Sequence, residues 1–385
     1  MKREPSRRLP DDPCELAPQY IRAIAPYQPG KPISELAREM GLEENAIIKL
    51  ASNENPLGLS PLARAAIEAA LPELARYPDG NGFELKATVS QRYGVPMECV
   101  VLGNGSNDVL EMAAIAFLGP GRAAVYSQHA FAVYPLATQA RGARSIVVPA
   151  TRFGHDLRAM RAAIDDETRV VFIANPNNPT GTLCAGEDIE AFLREVPAHV
   201  VVVLDEAYNE YLPEDARYDS LPWLAQYRNL VITRTFSKAY GLAGLRVGYA
   251  LCTKEVADLL NRVRQPFNVN QLALVAARAA LGDAAFVRRG YDLNLAGMRQ
   301  LTAGFERLRV AWIPSYGNFV SFEVPRANGQ SQAAAVYERL LRRGVIVRPI
   351  AGYGMPDHLR VSVGLPEENE RFLSALTLAL GDRAA

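Results

Sequence analysis

This chain of 385 residues has little with which to bind a transition metal: four cysteines and four histidines. Cys14, Cys99, Cys184 and Cys252 stand far apart, no CxxC pair occurs, and His129, His155, His199 and His358 show no HExxH spacing. A zinc knuckle, a thioredoxin-like motif and a disulfide framework are therefore unsupported. The expectation is four reduced, mostly buried thiols and no structural metal. Net charge is also missing, with 42 Lys plus Arg against 42 Asp plus Glu, which removes the electrostatic case for a nucleic-acid or acidic-membrane partner. No apolar run approaches the ~18 residues that a membrane span requires. No apolar segment follows the charged, Pro-rich opening MKREPSRRLPDDP, so no secretory signal is read there. A soluble, cytoplasmic protein is expected.

What is present suits a large folded core, since apolar residues make up 49% and charged residues only 22%. From about Leu62 to Ala285, apolar runs alternate with helical patterns. The runs CVVLG, AAVYS, RSIVVP, RVVFIAN, VVVVLDE, NLVITRTF and VGYALC read as strands, several covered on both faces. SNDVLEMAAIAFL and GEDIEAFLREV read as helices between them, and KPISELAREM as an earlier helix closed by Gly41. A helical stretch from Glu255 to Leu281 is expected to break near Pro266. After about residue 285 the order changes to helix, strand, helix and short strands. The expected architecture is an α/β fold with a mainly parallel sheet in a large domain (51–284), a smaller α+β domain (285–385), and an N-terminal arm (1–50) that belongs partly to the small domain.

Four segments carry candidate chemistry, and open α/β sheets bind ligands where strands end. In VLGNGSNDVLEM a Gly-rich turn opens a helix, so Gly105, Ser106 and Asn107 would offer free N–H groups to an anion; an ordinary capped turn reads the same way. The turn also misses the dinucleotide fingerprint, because Asp108 stands where a small residue is required. In ANPNNPTG two Asn-Pro steps force an irregular turn, and Asn178 could aim its amide at a ligand. In VVVVLDEAYNEY a carboxylate, Asp205, ends an apolar strand, where burial is costly without a partner, and Tyr208 follows closely. In TRTFSKAYGLAGLR, Lys238 sits among Thr235, Ser237, Tyr240 and Arg246. Partial burial near a cation would lower its pKa, while the hydroxyls and the guanidinium suit a phosphate. A ligand with a phosphate, a ring nitrogen and an aldehyde would use all four segments, and pyridoxal phosphate is such a ligand.

NPNNPTG, DEAY and RTFSKAYGLAGLR, with PYQPGKP, LASNENPLG, RYPDG, GNGSNDVL, GVIVRPI and LRVSVG, resemble the fold-type-I pyridoxal-phosphate-dependent aminotransferases from about Tyr27 to Gly364. The likeness is strongest to the histidinol-phosphate branch. The resemblance implies that Lys238 condenses with the cofactor aldehyde and shuttles a proton. It implies that Asp205 pairs with the pyridinium nitrogen, that Tyr208 and Asn178 bond the phenolic oxygen, and that Gly105, Ser106, Asn107, Thr235, Ser237 and Arg246 form a phosphate cup. Tyr77 in RYPDG matches a tyrosine that reaches the neighbouring subunit's cofactor, so a homodimer with shared sites is implied. Arg360 in LRVSVG matches the arginine at the substrate's carboxylate end. Arg348 and Tyr27 match positions near its distal end, and Asn55 in LASNENPLG is a further substrate-side position. Phe131 stands where the family commonly has a tyrosine over the cofactor ring, which keeps stacking and loses a hydroxyl. The implied reaction is transamination between histidinol phosphate and 2-oxoglutarate in histidine biosynthesis. Alternatives on the same motifs are an aromatic amino-acid aminotransferase, for which Phe131 and Tyr134 speak, and an amino-acid-phosphate decarboxylase.

Overall fold

A computed structural model of the protein describes residues 12–381. A short strand, β1 (Ile48–Lys49), comes first. The seven apolar runs then become β2 (Val100–Gly103), β3 (Ala123–Ser127), β4 (Arg144–Val148), β5 (Thr168–Ala174), β6 (Val201–Asp205), β7 (Leu230–Thr235) and β8 (Gly248–Cys252). They form one sheet in the order β2-β8-β7-β6-β5-β3-β4. Only β8 is antiparallel to its neighbours; the remaining pairs are parallel.

Alternate residues of each strand feed two cores, one on each face of the sheet. Leu102, Val171, Ile173, Val202, Leu204 and Ile232 enter one, and Val101, Val170, Phe172, Val203, Val231 and Ala250 enter the other. Burial on both faces is why these strands read as unbroken apolar runs. The edge strand β4 differs, with exposed positions and an Arg144 that reaches Asp165 at 2.6 Å and Glu167 at 2.7 Å. Charge on an edge discourages pairing with another chain. The helical stretch beyond β8 breaks around Pro266 into Lys254–Val263 and Gln271–Gly282.

A second layer follows the long helix Ala284–Leu308. It comprises β9 (Phe319–Glu323), the helix Ala333–Arg342, β10 (Val345–Ile346), β11 (Arg348–Pro349), β12 (His358–Ser362) and the helix Pro366–Gly381. Strands β11, β12 and β9 make an antiparallel sheet, and its core gathers Leu301, Phe305, Val320, Phe322, Leu340 and Phe372. Early residues join this layer: β1 pairs in parallel with β10, and Leu36 and Ile47 pack on Leu341 and Ile346. Leu36 comes from the helix Ile33–Met40, which Gly41 ends at φ 65°, a conformation that glycine adopts without steric cost.

The thiols differ from expectation: only Cys252 is buried, Cys14 is exposed, and Cys99 and Cys184 lie between. Cys14 sits in a one-turn helix, Pro13–Leu16, that buries no residue at all. Among the described residues no helix is long and apolar enough to cross a membrane.

Candidate active site

The four chemistry-bearing segments follow β2, β5, β6 and β7, at the carboxyl edge of the large sheet. With residues of β12 and of the chain around Tyr27 they enclose a cavity of about 210 Å³.

One end of the cavity is built for an anion. Gly105, at φ 78° and ψ 166°, opens the helix Ser106–Phe117, whose first turn points free N–H groups outward. Ser106, Asn107, Thr235, Ser237 and Arg246 all line this end. Arg246 donates to Ser237 Oγ at 3.1 Å, and the Ser237 N–H donates to Thr235 Oγ1 at 3.1 Å. Space here is tight: a Cβ on Gly105 would lie 2.5 Å from an Arg246 nitrogen. Asp108 explains the failed dinucleotide fingerprint. Its carboxylate accepts the Asn104 N–H at 2.8 Å and the Asn268 amide at 2.7 Å, so it fastens the turn and faces no ligand.

The centre holds the titratable groups. Asp205 ends β6 almost fully buried. Its Oδ2 accepts the Tyr134 hydroxyl and its Oδ1 the Thr233 hydroxyl, each at 3.0 Å. Burial pushes its carboxyl up to about 6, opposed by those two hydroxyls and the Ala207 N–H. Lys238 Nζ donates to Ser52 O at 3.1 Å. Burial, helped by the Arg360 and Arg246 guanidiniums and opposed by Glu54 and Asp205, brings the amine down to about 8. About a tenth of it is therefore unprotonated, and nucleophilic, at pH 7, far more than for an ordinary lysine. Tyr208, whose hydroxyl accepts the Asn53 amide at 2.9 Å, is pushed up to about 12 by burial.

The far end is cationic. Arg360, on β12, donates to Asn178 Oδ1 at 2.6 Å and to Ala51 O at 2.7 Å, and its buried Nε has no partner. An unpaired donor on a buried guanidinium is costly, and an entering carboxylate or phosphate would satisfy it. Arg348 donates to Gln28 O at 2.6 Å and to Tyr27 Oη at 3.2 Å, beside the same cavity.

Of the residues read from sequence, three stand apart from the cavity wall: Gly105, whose turn carries Ser106 and Asn107 to it, Asn55 and Tyr77. Asn55 donates to Ala239 O at 2.9 Å and accepts the Leu57 N–H; it ties the early chain to the residue after Lys238 and does not line the cavity. Tyr77 is 83% exposed and stacks on Phe267 with centroids 4.8 Å apart. Four participants escaped the sequence reading: Ser52, Asn53, Thr233 and Tyr353. Thr233 had a signal, two residues before Thr235 on the same strand, where side chains share a face. Ser52 and Asn53 lie inside LASNENPLG, while Tyr353 comes from a segment with no such mark. Tyr134 faces no substrate; its ring stacks on Phe172 and its hydroxyl is committed to Asp205.

The donor set fits a phosphorylated, aldehyde-bearing, cationic ring: hydroxyls, a helix N-terminus and a guanidinium at one end, a carboxylate in the middle, and an amine of lowered pKa. Such a site at the carboxyl edge of this sheet defines a pyridoxal-phosphate-dependent enzyme. The chain belongs to the class I and II aminotransferase family, whose model matches residues 45–376. Histidinol-phosphate aminotransferase 2 of Nitrosospira multiformis is 63% identical over 367 residues, 95% of this chain and 92% of that protein. Histidinol-phosphate aminotransferase of Methylobacillus flagellatus is 62% identical over 369 residues, 96% of this chain and 98% of that protein. The crystal structure of histidinol-phosphate aminotransferase from Sinorhizobium meliloti in complex with pyridoxal-5'-phosphate superposes with a TM-score of 0.85 at 27% identity, covering 94% of this chain and 97% of that one.

Proposed function

We propose that the protein moves the amino group of histidinol phosphate to 2-oxoglutarate, giving imidazole-acetol phosphate and glutamate in a step of histidine biosynthesis. One observation carries the reading. A lysine amine of lowered pKa and a buried carboxylate share a cavity with an anion cup at one end and Arg360 and Arg348 at the other. The sequence likeness to two histidinol-phosphate aminotransferases above 60% supports the choice of substrate.

When bound, pyridoxal phosphate supplies an aldehyde for an amine and an electron sink that acidifies the substrate's Cα–H. The chain's own residues do the rest. The Ser106 turn, Thr235, Ser237 and Arg246 hold the phosphate. Asp205 keeps a proton at the ring nitrogen. Tyr208 and Asn178 bond the phenolic oxygen, and Phe131 covers the ring face. Lys238 would move the proton from the substrate's Cα to C4′, base and acid in turn. Arg360 and Arg348, with Tyr27, take the anionic ends of the two substrates. Asn55 acts from behind, by holding the chain at Ala239. Tyr134 gives no support to an aromatic substrate, because its hydroxyl and ring face are engaged inside the protein.

The reading brings with it a cytoplasmic homodimer in which Tyr77 reaches the partner's cup; its exposure supports that role. It also divides the chain into an arm (1–50), a large domain (51–284) and a small domain (285–385), a division that the separate cores support. The test is spectroscopic. Holoenzyme should show a visible band that bleaches on adding histidinol phosphate and barely responds to phenylalanine. The reverse preference would refute the substrate, and Lys238→Ala turning over at the wild-type rate would refute the site.

A further inference from the structure

Asp205 receives hydrogen bonds from two side-chain hydroxyls and from the Ala207 N–H, and all three donors are neutral. The Thr233 hydroxyl comes from the neighbouring strand, in register with Asp205. The Tyr134 hydroxyl comes from the helix Val133–Ala140, which packs on the face of the sheet. The two hydroxyls take different carboxylate oxygens, which fixes the plane of the group and, beside the Ala207 N–H, still leaves acceptor capacity for the cavity. Neutral donors favour the ionised form without cancelling its charge, so the whole negative charge stays available to a cationic ligand. An arginine or a histidinium in the same place would consume it.

Tyr134 has no freedom to act otherwise. It is 1% exposed, its ring lies 4.7 Å from Phe172 at an interplanar angle of 6°, and Phe131 meets it edge-on at 5.9 Å. Its backbone carbonyl accepts the Thr138 hydroxyl. The phenol is thus held on one acceptor, Asp205 Oδ2.

We propose that Tyr134 is a positioning residue: its hydroxyl, with that of Thr233, orients Asp205 and keeps it ionised for a cationic ring nitrogen. The proposal rests on the reading of the cavity as a pyridoxal phosphate site. The charged and titratable groups around Asp205 are Tyr134 from the helix, Glu206 just past the end of β6, Tyr208 from the following turn and Lys238 from the segment after β7. Burial already holds the carboxyl at about 6. With one donor removed it rises further, and the ionised fraction near neutrality falls.

The test uses Tyr134→Phe, which deletes one oxygen and keeps the stacked ring. Dissociation of pyridoxal phosphate is measured by absorbance titration from pH 6 to 9, beside thermal unfolding of the cofactor-free protein. The expected result is affinity about tenfold weaker at neutral pH, the value of one lost hydrogen bond to a charged group. The gap should narrow toward pH 9, and the acid limb of the binding profile should shift upward. Thr233→Val should move the limb the same way. In an Asp205→Asn background Tyr134→Phe should add almost nothing, since there is no charge left to hold.

A pH profile for Tyr134→Phe that overlays the wild type would overturn the proposal. So would a loss of the same size in the Asp205→Asn background, which would mark a packing role. Wild-type protein that fails to bind pyridoxal phosphate at all would instead overturn the reading of the site.

Discussion

Replacing Gly105 by alanine should separate the strength of the anion cup from the stability of the fold. Gly105 has φ 78° and ψ 166°, a region essentially confined to glycine, where other residues cost about 1–3 kcal/mol. A Cβ there would lie 2.5 Å from one Arg246 nitrogen and 3.2 Å from the guanidinium carbon. Arg246 is a flexible side chain and can swing aside, so the steric clash itself is relieved cheaply. The swing breaks its bond to Ser237 Oγ and withdraws the cup's cation. A hydrogen bond to a charged group is worth about 1.5–3 kcal/mol, so cofactor affinity should fall roughly 10- to 100-fold. Two measurements are needed on Gly105→Ala: urea unfolding of the cofactor-free protein, and binding of pyridoxal phosphate and of inorganic phosphate at constant ionic strength. The reasoning predicts a modest stability loss, a large binding loss, and competition by phosphate weakened in parallel. Wild-type affinity for the cofactor would refute it, because the cup would then not depend on Arg246 standing against this turn.

The Lys238 amine has its ordinary pKa of 10.5 brought down to about 8 in the folded chain. The unfolded chain therefore holds the proton more tightly, and the cofactor-free fold carries a penalty that is full below pH 8 and fades as pH rises to 10.5. Lys238→Met should stabilise the cofactor-free protein at pH 7 by about 1–3 kcal/mol, after allowing for screening by cavity water. The difference should shrink by pH 10 in urea melts, and a difference that stays constant with pH would contradict the assigned cause. The Arg234–Glu206 pair is buried, with Arg234 Nε and Nη2 both on Glu206 Oε2 at 2.9 and 2.8 Å. Arg234→Met should destabilise by about 3–5 kcal/mol by stranding a buried carboxylate. Adding Glu206→Met should recover most of that; a double variant no better than the single would show that packing, not charge, set the loss.

The folded-back relation of distant segments was not legible in the chain. Apolar runs disclosed all seven strands of the large sheet, because strands buried on both faces carry no polar alternation, and the exposed edge strand β4 still kept the run SIVV. Proline and asparagine marked the loop that carries Asn178, glycines the segment after Lys238, and a carboxylate at the end of an apolar run marked Asp205. The small layer was harder: β10, which pairs with β1, and β11 are two residues each, too short for periodicity to register. Asn178, read as aiming at a ligand, lines the cavity, and its Oδ1 also accepts from Arg360, a partner 182 positions away that sequence did not show. Asn55 sits in an evident motif but supports the Lys238 segment from outside the cavity.

Sequence by itself determined the α/β class, the strands and the chemistry at their ends, because burial pattern and turn composition are local properties of the chain. The tertiary structure alone decided the strand order, the antiparallel course of β8, the paired hydroxyls on Asp205 and the nearness of Arg360 to Lys238. Those contacts bring together residues tens to hundreds of positions apart. Their effect on charge depends on burial and distance, which no single stretch of sequence records.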